Sequence, residues 1–151
     1  MLFTGQAFGT IDGKKRLVIP AKFRDGLGPE SERRSVCITA RTTARGSFLV
    51  VYPPEALEKE AGRLDSLAQT SEDAEWFKRK FVWDTETCHV DNQWRLVVPA
   101  RLIKQVGLGH EVALVGVGRS LEVWDAARWK AIDQQLLAEL PALQKSTYER
   151  T

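Results

Sequence analysis

The stretch "DGKKRLVIPAKFRDGL" at residues 12–27 decides the fold, because "DNQWRLVVPARLIKQVGL" at residues 91–108 repeats it. Each stretch begins with an Asp, has an Arg four residues later, and continues through apolar residues to a Pro and a basic segment. Asp12 matches Asp91 at an offset of 79, and this offset holds along both stretches. The chain is therefore an internal duplication of one structural unit.

A second pair of matching segments lies farther along each copy. "FLVVYP" at residues 48–53 matches "SLEVWD" at residues 120–125, with an offset of 72. The first copy therefore carries seven extra residues (79 − 72) between its two matching segments. We expect them in one of two polar, turn-forming stretches, "PESERRS" at 29–35 or "RTTARGS" at 41–47.

Each copy is predicted to form a β-β-α-β-β unit, so the predicted fold class is α+β. The strand segments are "FGTID", "RLVIP", "SVCITA" and "FLVVY" in the first copy, and "CHVD", "RLVVP", "EVALVGV" and "SLEVW" in the second. Pro20 and Pro99 are typical of the first turn of a helix. Gly28 and Gly107 are predicted to end these two helices.

Longer helices are predicted after each unit. One begins at Pro54, a second follows it, and a third begins after Asp125, which is a plausible N-cap. Pro141 is expected to end the third helix, leaving a polar tail that frays. The apolar positions that mark these helices are Leu57, Ala61, Leu64 and Ala68, then Trp76, Phe77 and Phe81, and finally Trp129, Ile132, Leu136 and Leu140.

The composition limits the classes of function. The 151 residues allow one or two small domains, and a net charge of +2 means that any acidic polymer must meet a local concentration of positive charge. Two cysteines are too few for a disulfide framework and indicate a reducing compartment. No apolar run approaches the length of a membrane span, and the first residues lack the features of a signal peptide. We therefore expect a cytoplasmic protein without a membrane partner.

The duplication has a physical reason. A single β-β-α-β-β unit exposes too much apolar surface to be stable alone. Two copies in one chain can instead pack as a pseudo-two-fold pair, in which each copy completes the core of the other. We expect the two loops between the first and second strands of the copies to share one face.

These two loops are basic. The first contains Lys14, Lys15 and Arg16 and is followed by Lys22 and Arg24; the second contains Arg95 and is followed by Arg101 and Lys104. A strip of such residues can neutralise phosphates, and counterion release then supplies affinity. Asp12 and Asp91 repel phosphates, so their expected role is to brace the Arg four residues later through a charge-assisted hydrogen bond.

The alternative interpretation is an ordinary surface salt bridge, since exposed charge pairs are common and contribute little. The pattern occurs twice at equivalent positions, with further Lys and Arg nearby, and this favours a nucleic-acid-binding face. Arg side chains contact phosphates as well as guanine edges, so both roles stay open for Arg16 and Arg95.

Four segments together resemble a known family. They are "DGKKRLVIPAKFRDGL", "FLVVYPPEALEK", "DNQWRLVVPARLIKQVGL" and "VALVGVGRSLEVWDAARW", and they cover nearly the whole chain in the right order. They resemble MraZ, a family of bacterial regulators built from two SpoVT-AbrB-type domains. The resemblance implies a tandem, swapped-hairpin AbrB-like β-barrel with flanking helices.

It divides the chain into domain 1 at 6–56, a helical connector at 57–84, domain 2 at 85–127, and a C-terminal helix and polar tail at 128–151. It also implies a sequence-specific, nucleoid-associated transcriptional regulator of the division and cell-wall gene cluster. Such a regulator binds short direct repeats in double-stranded promoter DNA, and its subunits assemble into a ring. A ring suits repeated sites because several weak contacts combine on one DNA.

The family motif falls on Asp12 and Arg16 in the first copy and on Asp91 and Arg95 in the second, and Lys14 matches a basic position. Together with Lys15, Lys22 and Arg101, the basic residues form the expected DNA-binding set.

Family loops have Gly before the Arg, whereas this chain has Lys15 and Trp94 there. Since Gly permits a positive φ, the departure predicts a different loop conformation or a shifted DNA preference. Trp94 either contacts a nucleotide or belongs to an interface.

An enzyme is not expected. Cys88 and His89 are neighbours on a predicted strand and so point to opposite faces. "HEVAL" at His110 lacks the second His of a zinc helix, and "GVGRSL" lacks the last Gly of a dinucleotide loop. Two Cys and two His have no metal-ligand spacing, so no catalytic residue, metal, cofactor or small-molecule substrate is predicted.

The second function class is an AbrB-fold protein-binding module, either antitoxin-like or an oligomeric scaffold, without specific DNA recognition. In the scaffold interpretation the basic loops are buried between subunits. Trp76, Trp83, Trp124 and Trp129 are expected to fill the core or subunit interfaces rather than to read bases.

Overall fold

A computed structural model describes residues 2–27 and 34–150. The elements in chain order are β1 (Gln6–Thr10), β2 (Arg16–Val18), α1 (Ala21–Arg24), a 3-10 turn (Asp25–Leu27), β3 (Ser35–Thr43), β4 (Gly46–Tyr52), α2 (Pro54–Ala68), α3 (Glu72–Asp84), β5 (Glu86–His89), β6 (Arg95–Val97), α4 (Ala100–Val106), β7 (Glu111–Gly116), β8 (Leu121–Asp125) and α5 (Ala126–Tyr148). The α+β class and the β-β-α-β-β order of each copy are confirmed.

The strands form a six-stranded sheet in the order β1-β7-β8-β4-β3-β5 and a two-stranded ribbon of β2 and β6. The first strand of each copy pairs antiparallel with the third strand of the other copy, β1 with β7 and β5 with β3. Second strands pair with each other, as do fourth strands. The copies are therefore interleaved. In the described residues both sheets are open, whereas the resemblance implied barrels.

The strand registers assign the seven extra residues to both predicted loops. Ala7 lies opposite Leu114, and its counterpart Glu86 (7 + 79) lies opposite Ile38. Ile38 therefore matches Leu114 at an offset of 76, three less than 79, which places three extra residues before β3. Residues 28–33, which hold most of "PESERRS" and the predicted helix end at Gly28, lie outside the described residues. The remaining four (76 − 72) belong to the longer β3–β4 hairpin.

The central strands of the six-stranded sheet are buried on both faces. Leu49 and Val51 of β4 belong to a core with the ribbon and with α1 and α4, while Phe48, Val50 and Tyr52 face α2, α3 and α5. A strand covered on both sides must be apolar at every position, which explains the unbroken "FLVVY". The first core contains buried residues from both copies, so neither copy has a separate interior.

Helix α5 differs from the prediction at its C-terminal end. Pro141 lies inside the helix, which continues to Tyr148 instead of ending there. Pro141 lacks the amide that would bond to the carbonyl of Leu137, but the residues after it are mostly good helix formers and sustain the remaining turns. The predicted Asp125 cap is confirmed, since its side chain accepts from the Arg128 amide at 3.3 Å. No helix of the described residues has the length and apolar character needed to cross a membrane.

Candidate nucleic-acid interface

The ribbon of β2 and β6 carries both predicted loops. Leu17 lies opposite Leu96, its own counterpart in the other copy, and both side chains are buried in the first core. Because side chains alternate along a strand, the residues on either side of these leucines point away from the core. The outward face of the ribbon therefore consists of Arg16, Val18, Arg95 and Val97. The two arginines of the repeated motif lie on the same face.

The first loop folds around the carboxylate of Asp12. Its Oδ1 accepts hydrogen bonds from the backbone amides of Lys14 at 2.9 Å and Arg16 at 2.8 Å. Its Oδ2 accepts from Nε of Arg16 at 2.7 Å. The backbone amide of Lys15 donates to the Asp12 carbonyl at 3.0 Å and closes the turn. One carboxylate thus sets the course of the loop and the direction of the Arg16 side chain.

The second loop repeats this geometry. Oδ1 of Asp91 accepts from the amides of Gln93 and Arg95, both at 2.9 Å, and Oδ2 accepts from Nε of Arg95 at 2.7 Å. The amide of Trp94 donates to the Asp91 carbonyl at 3.0 Å. Two stretches that differ at three of the five loop positions have adopted one conformation, because Asp and Arg supply the bonds that define it.

These bonds stabilise the charged carboxylates. The backbone amide of Arg16, followed by its side chain, holds the pKa of Asp12 below its ordinary value of 3.8. The backbone amide of Arg95 does the same for the pKa of Asp91, against a smaller opposing effect of burial. Both loops are therefore in their ion-paired form at neutral pH.

The ion pair uses only the Nε of each Arg. Nη1 and Nη2 of Arg16 and Arg95 have no partner among the described residues, and each side chain stays about one-third exposed. A guanidinium held through Nε keeps its Nη1 and Nη2 donors unoccupied, and these suit bidentate binding of a phosphate or of guanine O6 and N7. Within the same part of the chain, no acidic side chain contacts the ammonium groups of Lys14 and Lys15.

Lys15 and Trp94 adopt positive φ values of 65° and 61°. The loops therefore have the backbone that Gly favours, although neither residue is Gly. The Trp94 carbonyl accepts from the Ile19 amide, and the Lys15 carbonyl accepts from the Val98 amide, both at 2.8 Å. These two bonds tie each loop to the other copy and hold the unfavourable backbone in place.

Trp94 packs within its own chain. The guanidinium of Arg34 lies 3.4 Å from the centre of the Trp94 ring, and that of Arg24 lies 5.3 Å from it. Such cation–π contacts place additional positive charge beside the second loop. Sequence reasoning did not single out Arg34, since its approach depends on the path of the chain into β3 and no local pattern signals it.

Lys22 and Arg101, which are equivalent residues, are engaged elsewhere in the fold. Nζ of Lys22 donates to the Gln6 carbonyl at 2.8 Å. Arg101 donates to Oδ1 and to the carbonyl of Asp84, both at 3.2 Å, and lies 3.6 Å from Glu86. Both side chains bind the segment around the start of the first strand of their own copy. The structure thus does not group them with the two motif arginines.

Asp84 is a buried acid at the end of α3. Burial acts to raise the pKa of Asp84, but hydrogen bonds from Lys80 and Gln105 and the contact with Arg101 outweigh it and lower the pKa. The role of Arg101 in this cluster is therefore to neutralise a buried carboxylate.

The cysteine and histidine of β5 do not form a catalytic pair. Burial raises the pKa of Cys88 to about 11, so the thiol stays protonated and is a weak nucleophile. His89 is exposed and, as the next residue on the strand, points to the opposite face. The described residues contain no group of His, Cys, Asp and Glu that could hold a metal ion.

The four tryptophans that were expected in the core or in subunit interfaces fall into two groups. Trp124 is buried and stacks on Phe48 with ring centroids 4.3 Å apart, and Trp129 is partly buried beside it. Trp76 and Trp83 on α3 are 57% and 59% exposed. The first pair belongs to the core, which is one of the two predicted locations. The second pair forms an apolar surface on the protomer, and its place in a subunit interface stays a prediction.

Comparison with known proteins identifies relatives along nearly the whole chain. A family model for the MraZ protein, whose description includes the term antitoxin-like, matches residues 81–149. The transcriptional regulator MraZ of Moorella thermoacetica is 33% identical over 142 residues, which is 94% of each chain. That of Acidithiobacillus ferrooxidans is 33% identical over 91% of each chain. That of Desulfosudis oleivorans is 32% identical over 85% of this chain and 84% of its own.

Proposed function

This chain belongs to the MraZ family, and we propose that it regulates transcription by binding double-stranded promoter DNA through the outward face of the β2–β6 ribbon. The observation that carries the proposal is the pair of Asp-braced arginines, Arg16 and Arg95, on one face. As diagonal neighbours across two antiparallel strands they are about 7–8 Å apart at Cα. Their free guanidinium donors, together with Lys14 and Lys15, suit a phosphate backbone and the base edges beside it.

Asp12 and Asp91 brace the two arginines in this proposal and do not themselves contact DNA. Lys22 and Arg101 were predicted to bind DNA, but Lys22 donates a hydrogen bond to Gln6 and Arg101 donates one to Asp84. We therefore assign them a supporting role, in which they fix the position of the helices that follow the ribbon.

The proposed fold type is the tandem AbrB-like arrangement with exchanged hairpins. The exchange of first strands between copies supports it, because β1 and β5 each complete the sheet of the other copy. We keep the proposed divisions at 6–56, 57–84, 85–127 and 128–151 as sequence units, with the interleaved core joining 6–56 to 85–127.

The proposed targets are short direct repeats upstream of the division and cell-wall gene cluster, bound in the cytoplasm at the nucleoid. A ring-shaped homo-oligomer is the proposed assembly. Large exposed apolar side chains on the protomer support self-association, among them Trp76 and Trp83 on α3 and Leu137, Leu140 and Leu143 on α5. Several ribbons presented by one ring would combine on repeated sites through effective concentration.

A protein-binding module without DNA recognition is the second candidate function. The exposed tryptophans of α3 favour it, and so does the antitoxin-like description of the matching family model. In that case the apolar helix face, and not the ribbon, would carry the activity.

A salt titration separates the two functions. The purified protein is titrated with a duplex of the region upstream of its own gene and with a scrambled duplex of equal composition, at several salt concentrations. The proposed function predicts tighter binding to the native duplex and an affinity that falls steeply with salt, because bound phosphates release counterions. Absence of binding to both duplexes would overturn it in favour of the protein-binding module.

A further inference from the structure

We propose that Val18 and Val97 determine part of the DNA specificity by contacting thymine methyl groups in the major groove. The inference rests on the proposed DNA-binding function and adds to it a second type of contact. It gives the ribbon face two apolar reading positions beside its two arginines.

The two valines are equivalent residues with the same environment. Val18 is 50% exposed and Val97 is 57% exposed, and neither belongs to a core cluster. In the register of the ribbon Val97 lies opposite Arg16, and Val18 lies opposite Arg95. The outward face is thus a block of four side chains in which arginine and valine alternate along and across the strands.

The hydrogen bonds of the ribbon bring each Arg–Val pair close together. Backbone bonds link Ile19 to Trp94 and Val98 to Lys15, and positions two residues apart share one class of pairing. The outward pairs are therefore the non-hydrogen-bonded ones, whose Cα atoms are about 4.5 Å apart and whose side chains are the closer. An approaching surface meets the guanidinium and the valine of each pair together.

This block is about as long as two base-pair steps. Arg16 and Val18 are two residues apart on one strand, which is about 6.6 Å. Bases two steps apart along one DNA strand are separated by about 6.8 Å, twice the rise of 3.4 Å per base pair. The major groove admits a two-stranded ribbon, and the methyl group of thymine is the apolar group that its base edges display. A ribbon whose arginines contact guanines can therefore place its valines against thymines two steps away.

Charge complementarity identifies DNA as the occupant. The valines alternate with Arg16 and Arg95, and Lys14 and Lys15 lie in the loop that leads into β2. The acids Asp12 and Asp91 of the two loops are paired with their own arginines. An acidic polymer that also has apolar groups at regular spacing satisfies both properties of the face.

The test removes single methyl groups from the DNA. Each thymine of the bound promoter segment is replaced in turn by deoxyuridine, which lacks only the C5 methyl, and Kd is measured for the parent and for Val18→Thr and Val97→Thr. These substitutions keep the β-branched shape and replace one methyl by a hydroxyl. Val117→Thr in the turn between β7 and β8, which is similarly exposed, is the matched control.

We expect deoxyuridine at one or two positions to weaken binding of the parent roughly threefold to fivefold, the effect of one buried methyl. Val18→Thr or Val97→Thr should bind the unmodified duplex more weakly by a similar factor and lose sensitivity to deoxyuridine at its own position. Val117→Thr should behave like the parent.

The proposal is overturned if every thymine can be replaced without effect, or if both valine variants keep the full sensitivity of the parent. A change in assembly size with unchanged DNA affinity would also overturn it, since the valines would then contact protein. In each of these cases the parent still prefers its promoter and the proposed function stands. Loss of promoter preference in the parent itself would overturn both.

Discussion

Leu17 and Leu96 occupy the same position in the two copies and lie directly opposite each other in the β2–β6 ribbon. Val50 and Glu122, the equivalent pair in the fourth strands, are also opposite each other. The pairing pattern of the described strands is therefore unchanged when the copies are exchanged. Each motif loop leads directly into one strand of this ribbon, β2 or β6. The strand pairing that joins the two copies therefore also places the two arginines on one face.

Replacing either central leucine is expected to destabilise the whole protein. Leu17→Ala and Leu96→Ala each remove a fully buried side chain and should each lower the free energy of unfolding by about 3 kcal/mol. Because Leu17 and Leu96 are opposite each other, the loss of unfolding free energy in the double variant should differ from the sum of the two single losses. Urea unfolding followed by circular dichroism measures this, with the exposed Leu67→Ala as control. Two separate transitions, one for each copy, would contradict the interleaved core.

Removing the bracing acids is expected to weaken DNA binding although it makes the protein more positive. Asn at position 12 or 91 retains an oxygen for the backbone amides but loses the ion pair with Nε of the Arg. We expect Asp12→Asn and Asp91→Asn each to raise Kd for the promoter duplex roughly twofold to fivefold. Fluorescence anisotropy at fixed salt measures this. Tighter binding by both variants would mean that net charge, and not Arg orientation, controls affinity.

Lys15→Gly is expected to stabilise the protein, since Lys15 has a φ of 65° that costs about 1–2 kcal/mol for a residue with a Cβ. The larger entropy of Gly in the unfolded chain offsets part of the gain, leaving roughly 0.5–1 kcal/mol, or about 2 °C in Tm. Lys15→Ala also loses the charge but keeps the strain, so it is the control. The prediction fails if the Gly variant melts at or below the Tm of the Ala variant.

The loops are expected to lose their stabilising effect in acid. The folded pKa values of Asp12 and Asp91 lie below 3.8, so the unfolded chain takes up protons first as the pH falls. The contribution is complete above about 3.8 and is lost as the pH falls through the depressed values. The parent should therefore be more stable than Asp12→Asn/Asp91→Asn at neutral pH, and the difference should shrink below 3.8. A difference that stays constant into acid would contradict the ion pairs.

Much of this structure follows from the repeated sequence. The duplication, the β-β-α-β-β order and the helices beginning at Pro54 and after Asp125 were predictable because periodicity and capping residues act over a few positions. Pro141 misled the prediction, since a proline removes one hydrogen bond and a long helix with strong helix formers can lose one.

Long-range contacts were harder to predict. The exchange of first strands and the stacking of Arg34 on Trp94 join residues that are far apart in the chain, and no local pattern indicates them. Lys22 and Arg101 illustrate the same limit. Their positive charge is visible in the sequence, but the acceptors that occupy them come from other elements.

The most direct test of the ribbon as the DNA-binding face compares Arg16→Ala and Arg95→Ala with the parent on the promoter duplex across a salt series. Arg63→Ala, an exposed arginine on α2, is the control for net charge. We predict that each motif variant keeps its Tm within a few degrees and binds roughly tenfold or more weakly, as expected for loss of a bidentate contact. Each motif variant should either show a shallower salt dependence of Kd or no longer prefer the promoter duplex over the scrambled duplex. If both variants bound like Arg63→Ala and the parent, the ribbon would not be the DNA-binding face.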